Sequence, residues 1–253
     1  MTALPPPRPQ KHNITGWVLA GGQGLRMQGQ DKGLVAFQGQ PLFQRAVDRL
    51  LPQVAKVCVN ANRNLTQYQT SGCEVFSDGT TTSQGPLAGF LTGLRTCPTE
   101  WLMTVACDTP FFPRDLVSQL AACAQLHQAR LVMAQSQDPL ASDPEAWHFQ
   151  PVFCLMHRSL AQSLADFLNA GGHKVTHWAT QQTGLWPAPL RPWEGCLIRL
   201  PTPTPWKICN RCKPSKIEPL NRARVRFLPP RSCWGRVWFF GPARNTWWAP
   251  QKW

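Results

Sequence analysis

A glycine-rich loop with two cations nearby is the stretch of this sequence whose residue types suggest chemistry most directly. The apolar run 17–20 leads into residues 21–24, three of which are glycines, and Arg26 and Lys32 follow on the same segment. Glycine permits positive φ and leaves main-chain N–H groups open to a ligand, and successive N–H groups in such a turn form a concave anion site. The loop therefore predicts a cradle for a polyphosphate.

This loop differs from the two commonest phosphate-binding motifs. A Walker loop has Lys and then Ser or Thr directly after its second glycine, whereas Gln30 and Asp31 follow Gly29 here. The dinucleotide fingerprint requires a third glycine where this chain has Met27. A tight turn between a strand and a helix is the alternative interpretation of the glycines.

Polar side chains also follow three other apolar runs. Asn60 ends the run 56–60, Asp78 follows the run 73–76, and Asp108 follows the run 101–107. In open α/β sheets the ligand crevice lies just outside the carboxyl ends of the strands, so these segments are expected to converge with the glycine loop. Alternatively, Asn60 and Asp78 form turns, and Asp108 caps a helix.

The elements that would position these residues alternate along the first 185 residues. Apolar runs of strand length alternate with segments whose apolar residues recur at helical spacing, and proline or glycine separates them. This order is typical of an α/β domain. The predicted strands are 17–20, 56–60, 73–76, 101–107, 131–134 and 150–156, and the predicted helices are 41–51, 85–94, 113–126 and 159–169.

Several motifs give the chain a family resemblance. The string L-A-G-G-x-x-x-R-M-x-x-x-D-K spans 19–32, and V-N-A-N, S-D, G-P-L-A-G and C-D-T-P occur at 59–62, 77–78, 85–89 and 107–110. In order and spacing, residues 14–180 resemble the molybdenum cofactor guanylyltransferases, the MobA family of nucleotidyltransferases. One departure lies inside the first motif, where Gln28 stands in place of a glycine that the family often has.

The resemblance implies a fold and a reaction. The fold is a three-layer α/β/α, Rossmann-like nucleotidyltransferase fold with a mostly parallel sheet. The substrates are GTP and molybdenum-bound molybdopterin, whose terminal phosphate attacks the α-phosphorus of GTP and displaces pyrophosphate. No side-chain nucleophile is needed, because one substrate supplies it.

The resemblance also implies roles for individual residues. Arg26, Lys32 and Asp108 would be catalytic, and Asp108 would hold Mg²⁺, which prefers carboxylate and phosphate oxygens. Arg26 would bind two phosphate oxygens and Lys32 would act as a point charge. The nucleotide contacts would fall on Leu19, Ala20, Gly21, Gly22, Lys32, Asn60, Asp78 and Asp108.

Two related activities remain as alternatives. A cytidylyltransferase that acts on a related pterin and a sugar-phosphate nucleotidyltransferase share the first motif. The V-N-A-N motif and the short chain favour guanylyl transfer. The expected partners are GTP, molybdenum-molybdopterin and molybdoenzyme-maturation proteins, and the enzyme is expected to be a monomer.

The composition changes abruptly near residue 185. Residues 1–185 hold 13 Lys and Arg and 11 Asp and Glu, whereas residues 186–253 hold 13 Lys and Arg and 2 acids. The second part also has 8 of the 12 tryptophans, and the closing segment of the family is missing from it. We hypothesise that residues 186–253 are disordered and derive from a shifted reading frame; an undisturbed frame in the genes of close relatives would contradict this.

Basic residues interleaved with tryptophan also suggest nucleic-acid binding, through phosphate contacts and base stacking. This is the alternative function from a different class, although nucleic acid is not the partner that the motifs favour.

The N-terminal residues and the cysteines bear on location. Residues 1–13 are rich in proline and polar groups and predict a disordered arm without a signal sequence. Ten cysteines spread unevenly over 253 residues predict reduced thiols and a cytoplasmic protein. No apolar run approaches the length of a membrane span.

Overall fold

A seven-stranded sheet forms the centre of the computed structural model. The structure describes residues 6–21, 31–79, 85–137, 146–182 and 185–189, the last range for its backbone only. These residues all lie in the first of the two units into which the chain divides, Met1–Cys212. The strands are β1 (Ile14–Leu19), β2 (Ala36–Phe37), β3 (Gln40–Pro41), β4 (Lys56–Asn60), β5 (Glu74–Phe76), β6 (Trp101–Ala106), β7 (Leu131–Gln137), β8 (Trp147–His157) and β9 (Leu185–Pro189).

Helices cover both faces of this sheet. One buried cluster contains Phe43, Leu50, Leu116 and Leu120. A second, separate cluster contains Phe90 and several apolar residues that come later in the chain. The helices are α1 (Leu42–Leu50), α2 (Leu65–Gln69), α3 (Pro86–Thr96), α4 (Leu116–His127), α5 (Ala161–Asn169) and α6 (Val175–Thr180). Two apolar clusters separated by one sheet make a three-layer α/β/α domain, as the family resemblance implied.

The strand order places the parallel part of the sheet at one side. The order is β5-β4-β1-β6-β8-β7-β9, and β2 pairs separately with β3. The pairs β5 with β4, β4 with β1, and β1 with β6 are all parallel. Among the described strands of the seven-stranded sheet, only β8 runs against its neighbours, β6 and β7. The sheet is therefore mostly parallel, and the carboxyl ends of β5, β4, β1 and β6 meet at one edge.

Local signals explain where most elements begin and end. Pro41 precedes α1 and Pro86 is the first residue of α3. Proline is favoured at a helix start because the first N–H groups of a helix have no partner within the helix, and proline has no N–H group to leave unpaired. Gly171, with φ of 82°, follows α5, because glycine adopts the left-handed conformation that ends many helices. The sequence did not predict β2, β3, α2, α6 or β9, which are all seven residues or shorter.

The described part of the N-terminal segment, residues 6–13, differs from its prediction, and residues 1–5 lie outside the described residues. The sequence predicted a disordered arm over 1–13, yet Lys11–Asn13 forms a 3₁₀ turn and Pro9 is buried. The indole N–H of Trp101 donates a hydrogen bond to the carbonyl of Pro7 over 3.0 Å. Packing against β6 thus orders residues 6–13, which have no apolar pattern of their own.

The last strand extends the sheet beyond the predicted domain boundary. Leu185–Pro189 pairs with β7 in parallel, from Leu131 opposite Leu185 to Gln135 opposite Pro189. The sequence placed the boundary of the folded domain at 185, where the composition changes and the family motifs stop. The prolines beyond that point are compatible with β9, because an edge strand tolerates proline. The rest of the predicted tail, from residue 190, lies outside the described residues.

Two further observations concern the described ranges. Their six cysteines carry free thiols, of which four are buried. None of their helices combines the length and the apolar character that crossing a membrane would require.

Candidate active site

The predicted site residues that the structure describes form a row along the carboxyl edge of the sheet. Main-chain hydrogen bonds continue past the strand ends, from the N–H of Ala20 to the carbonyl of Asn60 over 2.8 Å and from the N–H of Cys107 to the carbonyl of Leu19 over 3.1 Å. A third bond joins Ala61 to Phe76 over 2.9 Å. These bonds hold the four strand ends side by side, so the segments that the sequence predicted to converge do converge.

A carboxylate held by two amides lies at the β5 end of this row. Asn60 Nδ2 donates to one oxygen of Asp78, and Asn62 Nδ2 donates to the other over 2.9 Å. The carbonyl oxygen of the Asn62 side chain also accepts the main-chain N–H of Asp78 over 2.9 Å. Asp78 is therefore held in one orientation, and it is not simply a turn former.

The glycines near this carboxylate leave room for the backbone to pass closely. A Cβ built on Gly21 would lie 3.1 Å from Asn62 Nδ2. One built on Gly89, in α3, would lie 2.4 Å from Asn60 Oδ1 and 2.6 Å from Leu19 Cδ2. The absence of both side chains lets the end of β1 and α3 pack directly against Asn60, which is buried.

An ion pair occupies the β6 end of the row. Lys32 Nζ lies 3.3 Å from Asp108 Oδ2, and the two side chains are 37% and 31% exposed. Lys32 begins a 3₁₀ turn, Lys32–Leu34, and Asp31 caps that turn by accepting the N–H of Gly33. A cation and a carboxylate thus lie together at the solvent-accessible edge, where a polyphosphate and a metal ion could reach them.

Cys107 is unsuited to nucleophilic chemistry, although it adjoins Asp108. Its thiol is buried, and this burial, followed by the nearby charges of Asp108 and Asp31, raises its pKa well above the ordinary value. Since the thiolate is the reactive form, Cys107 stays a small, protonated core residue, as its position at the end of an apolar strand suggested.

The structure brings most of the predicted contacts together. The residues that lie on this edge are Leu19, Ala20, Gly21, Lys32, Asn60, Asp78 and Asp108. Arg26 and Gly22, which were predicted from the same loop, lie outside the described residues.

Three residues at the site were assigned no role from the sequence. Asn62 and Asp31 lie within recognised motifs, and Tyr68, whose hydroxyl donates to Asp31, lies outside all of them. The spacing of Asn60 and Asn62 was a usable signal, because residues two apart on an extended segment face the same way. Nothing in the local sequence points from Tyr68 to Asp31.

A family model supports the resemblance of the sequence. The model of the MobA-like NTP transferase domain matches residues 16–183. The match begins at β1 and ends just before β9, so it covers the whole carboxyl edge described above.

Curated relatives at 43–48% identity carry a specific name. A molybdenum cofactor guanylyltransferase from Acidovorax sp. (strain JS42) is 48% identical over 171 residues, which are 67% of this chain and 81% of that protein. One from Methylibium petroleiphilum is 47% identical over 169 residues, or 67% of this chain and 83% of its own length.

Solved structures share the fold at much lower identity. The molybdopterin-guanine dinucleotide biosynthesis protein A from Archaeoglobus fulgidus is 18% identical, with a TM-score of 0.55 over 69% of this chain and 83% of its own. The 4-diphosphocytidyl-2C-methyl-D-erythritol synthase from Anaerococcus prevotii is 12% identical, with a TM-score of 0.54 over 74% and 91%. These similarities concern the fold alone.

Proposed function

The chain belongs to the MobA-like NTP transferase family, and from this premise we propose that it transfers GMP from GTP to molybdenum-molybdopterin. The products are the guanine dinucleotide form of the cofactor and pyrophosphate. The guanylyltransferase relatives, at 43–48% identity, support this choice among the family's activities.

The observation that carries the proposal is the ion pair of Lys32 and Asp108 at the same edge as the Asn60–Asp78 pair. Phosphoryl and nucleotidyl transfer need little covalent chemistry from the protein and depend on positioning and charge stabilisation. Lys32 would bind the phosphates, while Asn60 and Asp78 would bind the nucleoside part. Residues 19–21 at the end of β1 would complete the nucleotide site, with Arg26 and Gly22 proposed from the sequence.

Magnesium fits the donors at this edge. Among the residues that the structure describes, no three His, Cys, Asp or Glu side chains group closely enough to enclose a metal ion. Magnesium needs no such group, because it is commonly held by one or two carboxylates together with phosphates and water. Asp108 would hold it, and the ion would then neutralise charge on the triphosphate.

Nucleotide titration tests the proposal. Purified protein is titrated with GTP, CTP and ATP in the presence and absence of Mg²⁺, and release of pyrophosphate is followed after molybdenum-molybdopterin is added. We expect GTP to bind most tightly, and magnesium to be required for turnover.

The competing activities give different outcomes in the same assay. Preference for CTP would assign the chain to cytidylyl transfer, and turnover with a sugar phosphate would assign it to sugar-nucleotide synthesis. Absence of binding to all three nucleotides would overturn the proposal.

We also propose that the enzyme acts as a cytoplasmic monomer and passes its product to molybdoenzyme-maturation proteins. The transfer to maturation proteins follows from the proposed product, which is a cofactor that other proteins must accept. Light scattering at assay concentrations measures the oligomeric state, and a stable dimer would contradict that part.

A further inference from the structure

A buried tyrosine lies beneath the turn that carries Lys32. Tyr68 is the single tyrosine of the chain; it lies in α2, and its side chain is completely buried. Its hydroxyl donates a hydrogen bond to Asp31 Oδ1 over 2.5 Å. Since Asp31 directly precedes Lys32, this bond connects the core to the residue next to the ammonium group of the site.

Asp31 uses both carboxylate oxygens to hold the turn. Its Oδ1 also accepts the N–H of Gly33 over 3.2 Å, and its Oδ2 accepts Asn64 Nδ2 over 3.2 Å. The main-chain carbonyl of Asp31 accepts the N–H of Leu34 over 3.1 Å. Three donors to one carboxylate hold Asp31 in a single orientation. The 3₁₀ turn that starts at Lys32 is therefore fixed in position as well.

The packing around this carboxylate is close. A Cβ built on Gly33 would lie 2.4 Å from the hydroxyl oxygen of Tyr68, so only glycine allows the turn to lie on the ring. Burial, and after it the hydrogen bond to Asp31, raises the pKa of Tyr68 far above its ordinary value. The hydroxyl therefore stays protonated and remains a donor at any pH at which the protein is used.

The core holds the ring itself in place. The rings of Tyr68 and Phe43 meet edge to face, with centroids 4.7 Å apart, a favoured geometry for aromatic pairs. Phe43 lies in α1, whose first residue, Leu42, donates its N–H to Val35 at the end of the same turn. The turn is thus fixed at both ends to one packed unit.

We propose that Tyr68 and Asp31 are positioning residues, which together hold Lys32 where the nucleotide's polyphosphate binds. The identity of that ligand rests on the proposed function. A cation that is preorganised before the reaction stabilises charge in the transition state more effectively than one that must first be ordered. Loss of either residue would leave Lys32 in the chain but free to take several positions.

Kinetics separate positioning from simple stabilisation. We expect Tyr68→Phe and Asp31→Asn to lower kcat for GMP transfer by about tenfold or more, because small misplacements of catalytic groups are costly, while the Kd for GTP changes less. The matched control is Thr104→Val. Thr104 is also fully buried, and its hydroxyl lies 2.7 Å from the carbonyl of Val152. This control is expected to lose stability and keep kcat.

A second readout needs no nucleotide. Lys32 and Lys56 have nearly equal side-chain exposure, 37% and 36%, and each lies in an ion pair. Trace acylation of the full-length protein, followed by mass spectrometry, gives the labelling ratio of the two amines. Tyr68→Phe and Asp31→Asn are expected to change this ratio by at least about threefold, because preorganisation of Lys32 is lost, whereas Thr104→Val leaves it unchanged.

A double variant tests whether restoring the contact between positions 31 and 64 also restores the position of Lys32. In the pair Asp31→Asn with Asn64→Asp, the amide and the carboxylate trade places, and the contact between positions 31 and 64 is restored. We expect the labelling ratio and kcat to return part of the way to those of the wild type. Circular dichroism checks that each variant is folded; if Tyr68→Phe does not fold, Asp31→Asn carries the test, since Asp31 is only half-buried.

Two results would overturn the proposal. One is an unchanged labelling ratio in folded Asp31→Asn. The other is an equal loss of kcat in Thr104→Val, which would reduce the role of Tyr68 to stability. Failure of the wild type to bind GTP would overturn the proposed function instead, and the labelling ratio would still report on whether Tyr68 and Asp31 position Lys32.

Discussion

At the scale of residues, this edge of the sheet contains two carboxylates in different surroundings. Asp78 accepts hydrogen bonds from Asn60 and Asn62 on both of its oxygens, whereas Asp108 has an ion pair with Lys32 on one oxygen. A carboxylate surrounded by neutral amides suits hydrogen bonding to a ligand, and one beside a cation at an exposed edge suits a metal ion and phosphate. The two carboxylates are chemically identical, and their different surroundings suit them to different tasks.

Replacement of Asp108 tests its proposed task. Asp108→Ala is expected to keep its fold, since a partly exposed ion pair contributes about 0–1 kcal/mol. Turnover should fall roughly a hundredfold or more, the usual effect of removing one preorganised group from a charged transition state. Initial rates measured over a range of Mg²⁺ concentrations report the change.

Asp48→Ala serves as the matched control. Asp48 lies on the exposed face of α1, where its carboxylate accepts Gln44 Nε2 over 2.8 Å. The turnover rate of Asp48→Ala should therefore equal that of the wild type. Near-normal rates in purified Asp108→Ala would contradict the assignment of the metal to this residue.

At the scale of elements, α3 approaches the sheet through two glycines with different neighbours. Ala is favoured over Gly inside a helix by about 1 kcal/mol, so a gain in stability would be expected from propensity alone. However, a Cβ at Gly93 would lie 2.8 Å from Leu102 Cδ2, and one at Gly89 would lie 2.4 Å from Asn60 Oδ1. Gly93 thus faces the core, and Gly89 faces the site.

The two alanine variants should therefore differ in function. Gly89→Ala and Gly93→Ala are both expected to lose roughly 1–3 kcal/mol of stability from overpacking, measurable by urea unfolding. Only Gly89→Ala should also weaken GTP binding, because its methyl group displaces Asn60. Equal GTP affinity in the two variants, measured by calorimetry, would show that Asn60 can move without consequence.

His157, the last residue of β8, is expected to make the stability of the protein depend on pH. The ring of His157 packs edge to face on Trp101 at 5.1 Å. Burial, and then the nearby charge of Arg130, lowers its pKa from 6.5, while Glu100 opposes this and Arg158 adds to it. Because the folded state holds the proton less tightly than the unfolded state, stability is retained above pH 6.5 and lost as the pH falls below it.

The difference between wild type and His157→Gln isolates this contribution. The free energy of unfolding of the wild type should decrease more steeply between pH 7.5 and 5.5 than that of the variant, since only the wild type has the histidine. Parallel pH profiles of the two proteins would contradict the prediction. All other titrating groups are present in both proteins, so their effect on stability cancels when one pH profile is subtracted from the other.

At the scale of the whole molecule, the family match and the change in composition lie close together. The family model ends at residue 183, and acidic residues become rare from 186 onwards. The strand β9 (Leu185–Pro189), which pairs with β7 over five residues, crosses this point. We propose that the folded domain needs the chain as far as 189 and that the residues after it do not contribute to nucleotide binding.

Two truncations test this boundary. A chain that ends after residue 190 is expected to keep its unfolding temperature and its GTP affinity. One that ends after Gln182 should unfold at a lower temperature, because loss of β9 turns β7 into an exposed edge strand. Equal unfolding temperatures would mean that β9 adds nothing to the sheet.

The longer truncation also tests the alternative function. If the basic tail binds single-stranded nucleic acid, the full chain should bind an oligonucleotide with a steep dependence on salt. The chain that ends after residue 190 should then lose that affinity. Loss of GTP binding in the same truncated protein would instead place part of the nucleotide site in the tail.

The sequence by itself determined most of the segments that make the sheet and several of the polar residues that lie at its edge. Apolar runs of strand length, helical spacing between them and prolines at helix starts are local signals, and they identified β1, β4, β5 and β6. Asn60, Asp78 and Asp108 were then located by a topological rule, since parallel strands bring their carboxyl ends to one edge. Lys32 was predicted from the glycine-rich segment that follows β1.

Only the tertiary structure decided how those residues are held. The bonds from Asn62 to Asp78 and from Tyr68 to Asp31 join positions 16 and 37 residues apart, and no local pattern encodes which side chains meet at such separations. The same reason applies to residues 6–13 and to β9, whose order comes from the β6 and β7 strands beside them. Periodicity reports the propensity of a segment, whereas the orientation of a catalytic group depends on packing between segments.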